Sequence, residues 1–263
     1  MTSTDNTIQW SALLARAVTE PGVISKAYSA FHNYSIGNQI LAWAQCMSRG
    51  IALGPIATFK KWQSMGRNVR RGEKAIQLVM PVSIAKKDEA GEKTGEHFQL
   101  FTVRNNWFVL AQTDGQEYVP PPAPKDWDAA LAMDVLGISE IPFGLLDGNT
   151  QGYATGRSIA ISPIAALPHK TRFHEIAHVV LGHTAEASMQ DCDTTPRDIR
   201  EVEAESVAYL CCATLDLPGL AESRGYIQAW LAGNQIADKT AQRIFGAADK
   251  ILRAGRAKEP VAE

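Results

Sequence analysis

Cysteine is scarce in this chain, and its four copies do not have the spacing of a metal site or a disulfide framework. They are Cys46, Cys192, Cys211 and Cys212. Cys211 and Cys212 are adjacent in an apolar segment, which indicates reduced thiols in a core and hence a cytoplasmic protein. The polar start, residues 1–9, lacks the apolar core of a signal peptide. No apolar run approaches the ~20 residues of a membrane span, so we expect no membrane partner.

An excess of charge of one sign is also missing. The net charge is −2 and charged residues make up 21% of the chain. The sequence as a whole therefore has no nucleic-acid signature, and any contact with DNA must come from a local patch. Internal repeats are absent too, which excludes a repeat architecture. With 263 residues and 45% hydrophobic content, the chain can form one large or two modest cores.

The chain does contain a compact metal-binding motif, H-E-I-A-H, at residues 174–178. On a helix, His174 and His178 lie about one turn apart on one face and can bind one metal ion. Glu175 is then close enough to act on a water at the same site. The neighbouring residues are nearly all apolar and Gly182 is expected to end the helix, so the helix should be buried. A metal would compensate for burying these polar groups, which favours metal-assisted hydrolysis.

Spacing alone leaves several candidates for the third metal ligand. The downstream candidates are His183, Asp191, Asp193, Glu201, Glu203 and Glu205. Thr195 and Pro196 predict the start of a second helix. On that helix Glu201 and Glu205 share one face, while Glu203 points nearly the opposite way and is expected at the surface. This favours Glu201 as a ligand and Glu205 as an acceptor for a histidine's other N–H. The alternative is a solvated acidic face.

The proline-rich run at residues 120–124 is the clearest break in the chain. Such a run forms a stiff, extended connector. We therefore predict a domain at 1–119, a linker at 120–125 and a second domain at 126–263. The first is predicted to contain helices within 7–48, a short helix at 58–65, and strands at 75–84 and 98–111 that flank a charged tip at 86–96.

The second domain is predicted to be mainly helical with a small sheet. Asp126 is expected to cap a helix that ends at Leu136, and residues 152–161 read as a hairpin with its turn at Thr155 and Gly156. Two helices follow the metal-site helices, at about 220–232 and 237–254. The strand at 158–162 could be an edge strand that binds an extended peptide, or an ordinary strand of a small sheet.

A basic segment lies between residues 60 and 74, where Glu73 is the only acid. Basic surfaces with interleaved aromatic residues bind single strands through backbone charge and base stacking. The alternative is a solvated basic face around a buried tryptophan. The candidate DNA-binding residues are Lys60, Lys61, Trp62, Arg67, Arg70, Arg71 and Lys74.

The metal-site motifs resemble a known group of metallopeptidases. H-E-x-x-H followed by E-V-E-A-E-S-V-A at residues 201–208 is similar to the gluzincin-type domains of the ImmA/IrrE and ArdC families, over about residues 140–255. The resemblance implies that His174, His178 and Glu201 bind zinc and that Glu175 is the general base. Glu205 stands where many members of these families have Asn or Asp.

The N-terminal half resembles the N-terminal domain of ArdC-type antirestriction proteins. The similar blocks are N-Y-S-I-G-N-Q at 33–39, T-F-K-K-W at 58–62 and G-R-N-V-R-R-G-E-K at 66–74, and Y-I-Q-A-W-L at 226–231 continues the similarity. In that family the N-terminal domain binds single-stranded DNA and the C-terminal domain is a zincin. Members are carried on conjugative plasmids and other mobile elements, where they shield incoming DNA from restriction.

We therefore expect an α+β protein with an N-terminal α+β domain that binds single-stranded DNA and a mainly helical zincin-like metallopeptidase domain. Its expected cofactor is Zn²⁺, with another divalent metal such as Mn²⁺ as an alternative, and its second partner is a protein or peptide substrate. Two other functions remain open: an ImmA-like peptidase that cleaves one regulatory protein, and a coat for single strands with a structural metal. The intact Glu175 favours catalysis, because a structural site does not need it.

Overall fold

The structure is a computed structural model that describes residues 8–87, 93–145, 149–184 and 196–256. Within these ranges helices and strands are mixed, and the α+β class predicted from the sequence is confirmed. None of the described helices has the length and apolar character needed to cross a membrane.

The N-terminal part of the chain begins with helices and continues into sheet. Its elements are α1 (Trp10–Thr19), α2 (Val23–Phe31), α3 (Ile36–Arg49), β1 (Ile56–Thr58), α4 (Phe59–Ser64), β2 (Arg67–Val69), β3 (Ile76–Lys87), β4 (Lys93–Val109) and β5 (Thr113–Gly115). The long β3–β4 hairpin is antiparallel, and β1 pairs with the base of β4 to complete a sheet of order β1-β4-β3. Strands β2 and β5 form a separate antiparallel pair.

The C-terminal part contains mostly helices around a small sheet. Its elements are α5 (Ala129–Leu136), β6 (Ser139–Glu140), β7 (Gly152–Thr155), β8 (Ser158–Ile161), α6 (Pro168–Val180), α7 (Arg197–Leu215), α8 (Leu220–Leu231) and α9 (Asp238–Ala254). The sheet has the order β6-β8-β7, with β6 parallel and β7 antiparallel to β8.

Most element boundaries predicted from the sequence agree with the structure to within a few residues. Two local details differ. The cap of α5 is Asp128, whose carboxylate accepts a hydrogen bond from the Leu131 backbone N–H, and not Asp126. The β7–β8 turn lies at Gly156 and Arg157, one residue later than predicted. The predicted cap Thr195 and residues 88–92 of the predicted tip lie outside the described residues.

Helices from both halves of the chain share one hydrophobic core. Helix α9 packs against both α1 and α3, and α2 packs against α7. The edge of Trp10 on α1 meets Phe245 on α9, with ring centroids 6.1 Å apart. Asp249 on α9 accepts a hydrogen bond from the backbone N–H of Ile36, the first residue of α3. This satisfies one of the unpaired donors at the start of that helix.

The proline-rich connector is attached to both halves. The Tyr28 hydroxyl on α2 donates to the Pro124 carbonyl, and Arg256, just after α9, donates to the same hydroxyl at 2.8 Å. The Arg256 guanidinium also lies over the Tyr28 ring, 5.3 Å from its centroid. The connector is therefore held in place by side-chain contacts, and the division of the chain into two domains at residues 120–125 stays a prediction.

The β2–β5 pair supplies a test of the fold at a glycine. Gly115 has φ +139°, and a Cβ there would lie 2.8 Å from the Arg67 Cα. We expect Gly115→Ala to lower the free energy of unfolding by about 1 to 3 kcal/mol, measured by urea denaturation, because backbone must move to make room. Gly233→Ala is the control, since no atom lies within 4 Å of its Cβ position. An equal, small effect of both changes would contradict the described register.

Candidate functional site

The candidate metal site lies between α6 and α7, which pack against each other over much of their length. Helix α6 carries His174 and His178 on one face, and α7 carries Glu201 opposite them. Ala204 and Ala208 on α7 are fully buried. Their small side chains allow the two helices to approach closely, so that short polar side chains can meet between them.

Three of the predicted ligands converge on one point. The Nε2 atoms of His174 and His178 are 3.1 Å apart. The Glu201 Oε2 lies 3.4 Å from the first of these nitrogens and 3.7 Å from the second. One ligand atom from each of the three residues falls within 4.8 Å of the others. Two imidazoles and one carboxylate are the donor set of many catalytic zinc sites, so the residues present fit a divalent metal.

Hydrogen bonds assign a proton to this cluster. Burial alone would lower the pKa of His174, but hydrogen bonds to Glu201 and Glu205 raise it to about 9. As an imidazolium, His174 donates from Nδ1 to Glu205 at 3.0 Å and from Nε2 toward Glu201 and His178. The Nε2 proton of His174 thus lies between two acceptors, His178 Nε2 and Glu201 Oε2, where a metal ion could replace it.

The structure places Glu205 next to His174, one of the candidate ligands. Its carboxylate is largely buried and accepts the Nδ1–H of His174, while Lys170 lies 2.8 Å from its other oxygen. Burial would raise the pKa of Glu205, but hydrogen bonds from His174, Lys170 and Ser223 lower it to about 2. Glu205 therefore stays ionised and fixes the orientation of the His174 ring.

Glu175 is buried beside the histidines, with 7% of its surface exposed. Burial raises its pKa, while the two neighbouring histidines lower it and Glu201 raises it further. A raised carboxyl pKa suits a group that takes up and returns a proton. Gly152 on β7 permits the close approach of this strand, since a Cβ there would lie 2.7 Å from Thr171 Cγ2 and 3.1 Å from Glu175 Cγ.

An open cleft of about 460 Å³ gives access to these groups. One wall is β7, with Gly152, Tyr153 and Ala154, and another is the start of α7, with Arg197 and Arg200. The sequence left open whether β8 is an edge strand or an ordinary strand of the sheet, and the structure shows the second: β8 is the central strand, because the two-residue β6 pairs with its other side. The edge strand beside the cleft is β7.

Two side chains near the site differ from expectation. Glu203 was expected at the surface, but it is fully buried and lies 2.8 Å from His183 Nε2. His183 in turn lies 3.0 Å from His178 Nδ1. Glu203 is buried because α7 is packed on nearly all sides, so that the face opposite Glu201 is also in the core. Asp191 and Asp193, the other ligand candidates, lie outside the described residues.

The basic segment contains two arginines that are bonded to other groups of the protein. Arg67 donates to the Thr113 hydroxyl and carbonyl, both at 2.8 Å, and to the Gln116 carbonyl. Arg70 pairs with Glu73 at 2.7 Å and donates to the Ala111 carbonyl. Both guanidinium groups therefore brace the β2–β5 region.

Trp62 was predicted to stack on bases, and its burial contradicts this. Only 1% of its surface is exposed, and its indole N–H donates to the Phe108 carbonyl at 2.8 Å. The exposed cations Lys60, Lys61, Arg71 and Lys74 form no ion pair with another described residue, unlike Arg70. Phe59 beside them is 45% exposed and offers an aromatic face that Trp62 cannot.

The structure thus defines an α+β protein with a helical His-His-Glu cluster and a separate basic face. Residues 5–107 match the family model described as the N-terminal domain of anti-restriction factor ArdC. This segment therefore belongs to that domain family, and the whole chain has the fold seen in crystal structures of ArdC.

The likeness in fold rests on two crystal structures of the antirestriction ArdC protein from plasmid R388. The metal-free structure has a TM-score of 0.53 at 24% identity and covers 95% of this chain and 96% of that one. The Mn(II)-bound structure has a TM-score of 0.55 at 21% identity and covers 96% of this chain and 100% of that one. A curated relative, the uncharacterized protein y4eC of Sinorhizobium fredii, is 26% identical over 254 residues, which are 89% of this chain and 79% of the relative.

The proton on His174 leads to a prediction about pH. Because the pKa of His174 is raised to about 9, a metal ion must displace this proton at neutral pH. The apparent affinity for Mn²⁺ should therefore rise by about tenfold per pH unit up to that pKa and then level off. Calorimetric titration of the metal-free protein across this range measures it. An affinity that does not change between about pH 7 and about pH 9 would contradict the assignment.

Proposed function

We propose that this protein is an antirestriction protein that binds single-stranded DNA and carries a metal-dependent peptidase site, and that it protects incoming DNA of mobile elements. The observation that carries the proposal is the convergence of His174, His178 and Glu201 next to Glu175 in an open cleft. Its second support is the match of residues 5–107 to the N-terminal domain of an anti-restriction factor.

His174, His178 and Glu201 would hold the metal. This donor set suits Zn²⁺ and also accepts other divalent ions such as Mn²⁺. When bound, such an ion polarises a carbonyl group and lowers the pKa of water towards ~7. Bound Mn(II) in the ArdC protein from R388 supports a divalent metal in this fold.

Glu175 would act as the general base. Its side chain packs against Gly152 of β7 beside the ligand cluster, in a buried position where a raised pKa favours proton transfer. The edge strand β7 borders the same cleft and leaves one side of its backbone without a strand partner among the described residues. An extended peptide could pair with this edge, which would bring a peptide bond next to Glu175.

The exposed part of the basic segment would bind the DNA. Lys60 and Lys61 are exposed at the start of α4, and Arg71 and Lys74 are exposed in the turn between β2 and β3. Cations of this kind bind phosphates, and the exposed ring of Phe59 could stack on a base. The hydrogen bonds of Arg67 and Arg70 to other groups of the protein would fix the backbone beneath this surface, so these two arginines would not need to contact the DNA.

The basic surface can be tested with a triple variant, Lys60→Ala, Lys61→Ala and Arg71→Ala. The affinity for labelled single-stranded DNA should fall, and the slope of log K against log salt should become shallower by about 2, because each phosphate contact contributes about 0.7. Fluorescence anisotropy across a salt series measures both quantities. The matched control replaces three exposed lysines on other helices, Lys26, Lys239 and Lys250, by Ala. Equal slopes for the two triple variants would reject this surface as the DNA site.

The peptidase site can be tested by Glu175→Gln, which keeps the size of the side chain and removes the base. Hydrolysis of a mixed peptide library, followed by mass spectrometry, should slow by about 10² to 10⁴ fold. Metal content and DNA affinity should not change. Glu222→Gln on the exposed face of α8 is the matched control and should be fully active.

The same variant separates the remaining functions. If cells that produce the Glu175→Gln variant are still protected against restriction while peptide cleavage is lost, protection comes from DNA binding alone. If protection is lost as well, proteolysis is part of it. Peptide cleavage at wild-type rate in the variant would show that Glu175 is not the base and would overturn the proposed mechanism.

A further inference from the structure

The second histidine of the motif has an unusual partner. His178 presents its Nε2 to the ligand cluster, 3.1 Å from His174 Nε2. Its Nδ1 lies 3.0 Å from Nδ1 of another histidine, His183. His174, in contrast, has a carboxylate, Glu205, at its Nδ1. One of the two facing Nδ1 atoms must donate and the other must accept. The direction of this hydrogen bond decides which nitrogen of His178 is free for a metal.

A turn at the end of α6 places the ring of His183 next to the ring of His178. Gly182 has φ +79°, and this left-handed residue reverses the chain so that the His183 backbone N–H donates to the His178 carbonyl at 2.8 Å. The His183 side chain is only 4% exposed, so solvent is largely excluded as its partner.

The far side of His183 faces a buried carboxylate. Its Nε2 lies 2.8 Å from Glu203 Oε2, and the Glu203 side chain has no exposed surface. Arg243 on α9 lies 3.3 Å from the other Glu203 oxygen and also donates to the Leu181 carbonyl at 3.1 Å, at the end of α6. The arginine compensates the charge of Glu203 and holds it against the end of the helix.

The direction of these hydrogen bonds follows from the carboxylate. The Glu203 oxygen 2.8 Å from His183 Nε2 is the acceptor, and Arg243 lies at the other oxygen, so the ring of His183 donates from Nε2. With the ring proton on Nε2, His183 Nδ1 offers the lone pair that accepts from His178 Nδ1–H, 3.0 Å away. Consequently His178 has its proton on Nδ1 and a lone pair on Nε2, the nitrogen that faces the candidate metal position.

We propose that His183, Glu203 and Arg243 form a positioning relay that fixes the tautomer and ring orientation of His178 for metal binding. The relay does for His178 what Glu205 does directly for His174. The proposal rests on the metal site proposed above. Glu203 and Arg243 do not line the cleft, and both ring nitrogens of His183 face other side chains, so the three are positioning residues and not catalytic ones.

The tautomers can be read directly in the metal-free protein. Long-range ¹H–¹⁵N NMR of imidazole-labelled protein reports which ring nitrogen carries the proton. We expect His183 to be protonated at Nε2 only and His178 at Nδ1. A proton on His183 Nδ1, or on both of its nitrogens, would overturn the relay, because His183 could then no longer accept from His178.

The contribution to metal binding is measured with Glu203→Leu and Glu203→Gln. Leucine removes the acceptor, and we expect the dissociation constant for Mn²⁺, followed by electron paramagnetic resonance, to rise by about 10- to 100-fold. The amide oxygen of glutamine can still accept from His183, so Glu203→Gln should lose less affinity than Glu203→Leu. Asp249→Asn on α9 is a control for changing a partly buried carboxylate away from the metal site, and should bind Mn²⁺ as the wild type does.

The outcomes separate this proposal from the proposed function. If the wild type binds neither Mn²⁺ nor Zn²⁺, the metal site itself fails, and the NMR tautomers still decide whether the relay exists. If the wild type binds Mn²⁺ and both Glu203 variants bind it equally well, the metal site stands and the relay is rejected. Should Glu203→Leu not fold, His183→Gln and His183→Leu provide the same comparison, since glutamine retains an acceptor for His178 Nδ1–H and leucine does not.

Discussion

The close packing of α6 against α7 is the constraint on which the rest of the site depends. It buries polar side chains from both helices, and each of them needs a partner at hydrogen-bond distance. The result is a set of convergent ligand atoms on His174, His178 and Glu201, with Glu205 behind one histidine and His183 behind the other. An apolar interface of the same size would need no such arrangement. The polar groups therefore indicate a function that the fold alone does not require.

The sequence predicted the parts of the site that follow from helix periodicity. Residues four apart lie on one face of a helix, so the pairing of His174 with His178 and of Glu201 with Glu205 could be inferred before the structure was known. Both pairs face each other in the structure. The pattern could not show what surrounds α7. Glu203 was expected in solvent because it lies opposite Glu201, and only the packing of α9 and the turn at Gly182 place it in the core.

Strand order and aromatic exposure were harder to predict for the same reason. Strand β6 has two residues, too few to give a periodic signal, yet its pairing moves β8 from the edge to the centre of its sheet. Trp62 lies in a basic segment, but its neighbours in sequence are not its neighbours in space. Its indole is covered and bonded to Phe108 on β4, while the next aromatic, Phe59, is left exposed. The position of the basic segment could be predicted from the sequence, but which of its aromatic side chains is exposed could not.

Helix α9 connects the two halves of the chain physically. Through Asp249 it satisfies the first backbone donor of α3, and through Arg243 it contacts Glu203 and the end of α6. The faces of α1 and α3 that pack on α9 would be exposed if the chain ended at the connector. An N-terminal fragment would then present apolar surface to water, which costs about 25 cal/mol per Å². The DNA-binding surface proposed here is therefore best studied in the full chain, where α9 completes the core beneath the N-terminal helices.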